Sequence, residues 1–341
     1  FMTFSLVCAF PFCKKDYSSE ASNNNELIYM VCYPEIEDFY LLSQRGINTV
    51  LIDLEADGSD WVETYEAAIK HGLRIIPLIW DEDSEQSIWE WDKGRKEWKL
   101  DRIRYPDAVG ALFLGFLKDN PKYLEQTLAI YSFHEPLRYP EKTGPKQMKV
   151  FYRQITEEIF PNNNVYVYGE DVTMGWKRSD ECLTGVLDYE NHLVYPFVST
   201  SEGRYRPFDV INNCYGPPTN DLMATLKAEL SCLDERLHRY NSAMPAKTGR
   251  KPPAIVLIQT FVDSEYSDLW NRMPSAEEME AFASMFINKR RNQIKGLGWY
   301  CFRKAADNYS AWLHKDRFDE SSVDRWEVLR RIFIQFFPNH N

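Results

Sequence analysis

Leu128-Ala129-Ile130-Tyr131-Ser132-Phe133-His134-Glu135-Pro136 starts apolar and breaks off at a proline. The aliphatic and aromatic start reads as a strand buried on both faces, as strands of parallel sheets are, and Pro136 has no N–H with which to extend a ladder. Glu135 is thereby left at the C-terminal tip of a strand. In closed α/β barrels such tips carry the chemistry, so the fold turns on whether further strands of this kind alternate with helices.

They do so about eight times along the chain. The apolar run at residues 2–12 has neither a basic leader nor a small-residue cleavage site, so residues 3–10 are expected to form the first strand. After a Ser/Asn-rich loop, a second apolar run at 27–33 meets Pro34, which opens a helix with Ile36, Phe39 and Tyr40 on one face, closed by Gly46. Strand two is expected at 49–54 and a helix at 61–71 stopped by Gly72; strand three spans 74–80. A long loop from 81 to 105 carries Trp89, Trp91 and Trp98, and a helix over 107–117 precedes the His-Glu-Pro strand. A helix over 146–159 ends at Pro161, strand five spans 165–168, and strand six spans 192–197.

Leu222, Leu226, Leu230, Leu233 and Leu237 draw one apolar stripe down a long helix. Strand seven is expected at 254–261. Ser275 with Glu278 makes a capping box for the helix that follows it. Strand eight spans 295–302, and Trp326, Leu329, Phe333 and Phe336 mark a closing helix. This order predicts a single (β/α)8 TIM barrel with inserted loops, occupying residues 1–341 as one domain. The rival, an open doubly wound sheet, wants a glycine-rich phosphate turn, and the sequence holds neither G-x-G-x-x-G nor G-x-x-x-x-G-K-[ST].

Composition narrows the partners. A net charge of −11 is the wrong sign for nucleic acid or an anionic membrane surface. No stretch approaches the length of an uninterrupted apolar membrane span. Aromatic residues reach 15%, a content that suits stacking on sugar rings as well as filling a large core. Seven cysteines, an odd number without a C-x-x-C pair, speak against a zinc site and a complete disulfide framework. The six histidines form no H-x-H or H-E-x-x-H pair, there is no G-x-S-x-G elbow, and nothing calls for a metal or a cofactor. Asn308-Tyr309-Ser310 is a formal glycosylation sequon. Export would suit a polysaccharide substrate, whereas the odd thiol count leans towards a reducing interior.

Under this layout the strand ends collect acids and aromatics: Asp53 and Glu55, Trp80 and Asp81, His134 and Glu135, Glu170 and Asp171, Tyr195, Gln259, and Trp299 with Tyr300. Carboxylates and amides pair with hydroxyl groups while aromatic faces pack on pyranose rings, so the set points to carbohydrate. Each has a plainer reading: Glu135 as a carboxylate salt-bridged to an arginine, Asp53 and Glu55 as caps, and the loop tryptophans as a small core of their own instead of a sugar platform. Strand alternation allows only one of Trp299 and Tyr300 to face the mouth.

His134-Glu135-Pro136 resembles the Asn-Glu-Pro or Asp-Glu-Pro that ends strand four in barrel glycoside hydrolases of the retaining clan A and their relatives. Tyr195-Pro196, the strand-seven segment ending Leu257-Ile258-Gln259-Thr260-Phe261, and Met273-Pro274-Ser275-Ala276-Glu277-Glu278 leading to Gly296-Leu297-Gly298-Trp299-Tyr300 are similar to further motifs of that group. The resemblance implies a glycoside hydrolase acting on an oligo- or polysaccharide, with Glu135 as general acid/base. It fails at strand seven, where the group has a nucleophilic glutamate and this chain has Gln259. An amide is no carboxylate nucleophile. Glu170 is therefore the expected second carboxylate, with Asp53, Glu55, Asp81, Asp263 and Glu265 as alternatives, and Asp53, Tyr195 and Gln259 are expected to hold sugar hydroxyls. A barrel that binds glycans without cleaving them, or a lyase or transglycosylase using the same cleft, also fits the missing nucleophile.

Overall fold

The computed structural model of the protein describes residues 27–55, 57–78, 89–92, 94–103, 109–131, 145–161, 165–169, 187–209, 214–243, 253–303, 305–316 and 323–337. Eight strands form one sheet: β1 (Ile28–Cys32), β2 (Thr49–Asp53), β3 (Arg74–Leu78), β4 (Ile130–Tyr131), β5 (Val167–Gly169), β6 (Tyr189–Val194), β7 (Ala254–Gln259) and β8 (Ile294–Tyr300). Every pairing is parallel, and the order β3-β2-β1-β8-β7-β6-β5-β4 is a ring cut open between β3 and β4. The cut is sealed just ahead of β4. Ile75 bridges Thr127 in parallel, and the Leu128 amide donates to the Ile75 carbonyl at 2.8 Å. Leu128, at the head of the His-Glu-Pro run, thus closes a (β/α)8 barrel.

Helices α1 (Phe39–Gln44), α2 (Trp61–His71), α3 (Val109–Asp119), α4 (Pro145–Arg153), α5 (Leu222–Ala243), α6 (Ala276–Arg290) and α7 (Val323–Phe336) follow the strands in turn, except after β5, where residues 170–186 lie outside the described residues. Local chemistry sets their ends. Gly72 stops α2 in the left-handed conformation, φ 67°, that leaves its amide free to bond Ala68 and Ile69 carbonyls. Ser275 and Glu278 close the expected capping box on α6.

Strand alternation sorts the core into two shells. Met30, Cys32, Leu51, Ile76, Tyr131, Tyr168 and Leu257 pack together inside the barrel. Val31, Val50, Ile75, Val256, Leu297 and Trp299 face outward and pack with the apolar faces of the helices. β8 approaches β7 closely because Gly298 has no side chain: a Cβ there would lie 2.4 Å from Leu257 Cδ2.

Two strand assignments are corrected. Barrel strand one is the run Ile28–Cys32, and the eight positions are filled without residues 3–10, which lie outside the described residues. Strand six is Tyr189–Val194, not 192–197, because Pro196 cannot join a ladder; the preceding segment pairs instead, Glu190 with Ala254 and Tyr189 with Tyr168. The long loop with three tryptophans contains an antiparallel hairpin, Trp89–Asp92 against Glu97–Ile103, with Trp91 opposite Trp98. Among the described residues no helix is long and apolar enough to cross a membrane.

Candidate active site

At the C-terminal strand ends the barrel interior turns from aliphatic to aromatic and acidic. Asp53 ends β2 on the inward face of Leu51 and is exposed. Tyr33 follows β1, Tyr195 follows β6, Phe261 lies just beyond β7, and Tyr300 ends β8. Their rings meet mostly edge to face: Tyr33–Tyr300 at 5.6 Å, Tyr195–Phe261 at 5.3 Å and Phe261–Tyr300 at 5.5 Å between centroids. Trp270, Tyr309 and Trp312 pack against the same cluster. Burial pushes the Tyr33 and Tyr300 phenols well above their ordinary range. Both therefore stay neutral, able to donate to and accept from a hydroxyl ligand.

Tyr33 holds φ 59°, in the left-handed region that a bulky residue enters only when its surroundings fix it there. The Tyr33 amide donates to the Leu51 carbonyl at 2.7 Å, and the segment that follows is anchored by Arg303. Its Nε and Nη2 donate to the two Asp38 oxygens at 2.6 and 2.9 Å, and Nη1 pairs with Glu35 Oε2 at 2.8 Å. One guanidinium thus ties the segment just after Tyr33 to the segment just after Tyr300.

The expected site residues divide into three groups. Asp53 and Tyr195 are at the mouth, and the Asp53 charge acts on the Tyr33 phenol. Glu55, Gln259 and Trp299 are elsewhere or engaged. Glu55 is exposed in a turn closed by the Asp60 carboxylate, which accepts its amide at 3.1 Å. Trp299 is fully buried in the outer shell, so Tyr300 is the member of that pair that faces the mouth. Trp80, Asp81, His134, Glu135 and Glu170 lie outside the described residues.

Gln259 has the inward parity of Leu257 but offers nothing to a ligand. Its Oε1 accepts the Phe197 amide at 3.2 Å, and its Nε2 donates to the Phe261 and Arg272 carbonyls at 3.0 and 3.2 Å. The side chain is fully buried and clasps the segments that follow β6 and β7. A carboxylate there would face two carbonyl oxygens without water. Gln259→Glu is accordingly expected to destabilise the protein by about 1–3 kcal/mol and to create no nucleophile; urea melts and activity assays of the variant check both outcomes.

A buried acid, Glu229, stands behind the mouth. On α5, Glu229 accepts the Phe208 amide at 3.1 Å; Phe208 packs edge-on against Tyr215, whose hydroxyl accepts the Trp270 indole N–H at 2.9 Å. Burial pushes the Glu229 carboxyl up to about 7, more than the Phe208 amide and Arg236 draw it down. Cys232, Arg236 and Tyr215 share this surrounding, and burial raises the Cys232 thiol to about 12. Because the folded value lies above the ordinary 4.5, the stability advantage of neutral Glu229 is complete below that pH and is lost as pH rises through about 7. Stability should thus fall by about 3 kcal/mol across that window. Glu229→Gln should flatten the fall, as read from urea midpoints at pH 5 to 9.

Tyr33, Trp270 and Tyr266 are the mouth residues that sequence reading passed over. One signal was present: Tyr33-Pro34 repeats the Tyr195-Pro196 pair, an aromatic residue held where proline ends the strand. Among the described residues no group of three His, Cys, Asp or Glu could hold a metal ion.

No family model matches the chain, and no curated protein matches it. Solved structures do. Saccharomyces cerevisiae Gas2p in complex with laminaritriose and laminaritetraose superposes with a TM-score of 0.52 at 10% identity, over 93% of this chain and 66% of that one. ScGas2 in complex with compound 8 gives 0.51 at 11% identity, over 92% of this chain and 65% of that chain. A Rhizomucor miehei β-1,3-glucanosyltransferase active-site mutant with laminaritriose gives 0.46 at 15% identity, over 81% and 88% of the two chains. The likeness shows the fold, and this chain spans about two thirds of the yeast protein's length.

Proposed function

We propose that this barrel acts on the glycosidic bonds of a glucan chain by carboxylate acid/base chemistry. The observation that carries the reading is the mouth: inward tyrosines from β1, β6 and β8 and an inward carboxylate from β2, set around the C-terminal strand ends of a closed barrel. Rings of this kind pack on the C–H faces of a pyranose, while neutral phenols and Asp53 pair with its hydroxyls.

Glu135 is the proposed acid and Glu170 the second carboxylate. Inside the barrel the rings of Tyr131 on β4 and Tyr168 on β5 meet at 5.4 Å. Glu135 and Glu170 have the parity of those two residues, so strand alternation supports a convergence of both carboxyls on the mouth. Glu135 would protonate the bridging oxygen as the bond to the anomeric carbon breaks. Glu170 would then either attack that carbon or take the proton of an attacking water, at spacings of about 5–5.5 Å or about 6.5–9.5 Å respectively. The laminaritriose and laminaritetraose bound by the yeast neighbour make laminari-oligosaccharides the first substrates to try.

The second reading, glycan binding without cleavage, is favoured by Gln259, whose amide is spent on backbone groups where a nucleophile would stand. One experiment separates the two. The protein is incubated with laminaritetraose and the products are sized by mass spectrometry, with affinity measured by calorimetry. Shorter chains mean hydrolysis and longer ones transfer; affinity without new products supports the binding barrel, and neither affinity nor products overturns the carbohydrate reading.

A further inference from the structure

Ring contacts cross the mouth in series. Tyr33 meets Tyr300 at 5.6 Å, Tyr300 meets Tyr195 at 5.7 Å, Tyr195 meets Trp270 at 6.5 Å, and Trp270 meets Tyr266 at 4.8 Å. Exposure is least in the middle of the series, 8% at Tyr195, and greatest at its outer end, 42% at Tyr266. Tyr195 is closed in by its neighbours. Tyr266 is the most exposed ring of the five.

The loop that carries it is held rigidly. Trp270 takes φ 51°, a left-handed conformation that a glycine would adopt at no cost, yet a tryptophan occupies the position. Its carbonyl accepts the Asp263 amide and its indole N–H donates to Tyr215 Oη, each at 2.9 Å. Around it, Arg206 pairs with Asp268, Arg272 Nε donates to the Val198 carbonyl at 3.0 Å, and the Ser264 amide donates to the Asn308 carbonyl at 2.9 Å. A segment that stores strain to present an indole, and fixes an exposed phenol edge-on against it, is already ordered for contact and loses little further freedom when a ligand arrives. Glu265, exposed beside Tyr266, can accept hydrogen bonds from the hydroxyls of a ligand.

We propose that Tyr266, backed by Trp270, is a platform for a pyranose ring of the glycan chain lying outside the pocket where the bond is cleaved. The proposal rests on the carbohydrate reading above and deepens it: the ligand is an oligosaccharide long enough to reach from the mouth to the rim, not a simple glycoside.

The test is calorimetric titration of the full chain with laminaribiose through laminarihexaose. In the unaltered protein affinity should climb with chain length. In Tyr266→Ala, an exposed change that leaves the core untouched, affinity for the longest sugar should fall about tenfold while that for the shortest stays put. Tyr266→Trp should restore the climb. An unchanged length dependence in Tyr266→Ala, or an equal loss at every length, would overturn the platform alone. Failure of the unaltered protein to bind any member of the series would overturn the carbohydrate reading, and the platform with it.

Discussion

Glu135→Gln should cut glycosidic-bond turnover about a thousandfold while affinity for an uncleaved oligosaccharide and the melting temperature stay near their unaltered values. The amide is isosteric with the acid and keeps its hydrogen-bonding reach, but it has no proton to give the departing oxygen. Only the interaction made in the transition state is lost, so the fall belongs to kcat rather than to binding. The pH profile adds a second signature, because the limb set by deprotonation of the acid should vanish in the variant. Should turnover be unaffected, the acid lies elsewhere. Parallel losses of turnover, affinity and melting temperature would instead mark Glu135 as a structural carboxylate, the plainer alternative for a strand-tip acid.

The element order was readable because its signals are local. Trp61 to His71 with Gly72, the leucine stripe of α5 and the Ser275–Glu278 box each announce themselves within a few turns of chain, and the structure carries all three. What failed depends on pairing between distant segments. Nothing within residues 3–10 or 27–33 says which run joins the barrel, since parallel strands are recruited by partners far along the chain. Gln259 looked like a sugar ligand because its partners, the Phe197 amide and the Arg272 carbonyl, come from loops that only the closed barrel brings to it. The choice between Trp299 and Tyr300 is legible in the sequence. Gly296 and Gly298 alternate with Leu297 and Trp299, and bare positions pressed against neighbouring strands leave Tyr300 on the inward face.

Arg272→Met should cost about 3 kcal/mol of stability, the penalty for taking the close, hydrogen-bonded partner from a buried charge. The guanidinium grips Glu278 with Nη1 at 2.7 Å and Nη2 at 3.2 Å, and its remaining donors serve the Val198, Met273 and Arg204 carbonyls. It also lies over the Phe197 and Tyr205 rings at 5.3 and 5.4 Å. Glu278 is 4% exposed and already committed to Tyr205 Oη at 2.6 Å and the Ser275 amide at 2.7 Å, and once Arg272 is gone it keeps only the looser pairing with the mostly exposed Arg204, whose Nη2 lies 3.6 Å from Oε1. Burial alone would raise its carboxyl; the Arg272 and Tyr205 hydrogen bonds overcome that and hold it below its ordinary value. The folded value lies below the ordinary one, so the pair stabilises the fold above the ordinary carboxylate range and the contribution fades as pH falls through the depressed value. The cost of Arg272→Met should therefore shrink in acid, opposite in direction to the alkaline weakening set by Glu229. Urea melts at pH 3 and pH 7 measure that contrast. A double-mutant cycle with Glu278→Gln should return a coupling of about 1–3 kcal/mol. Additive losses with no pH dependence would mean that the arginine acts by its carbonyl contacts and ring packing, and that its charge is immaterial to the fold.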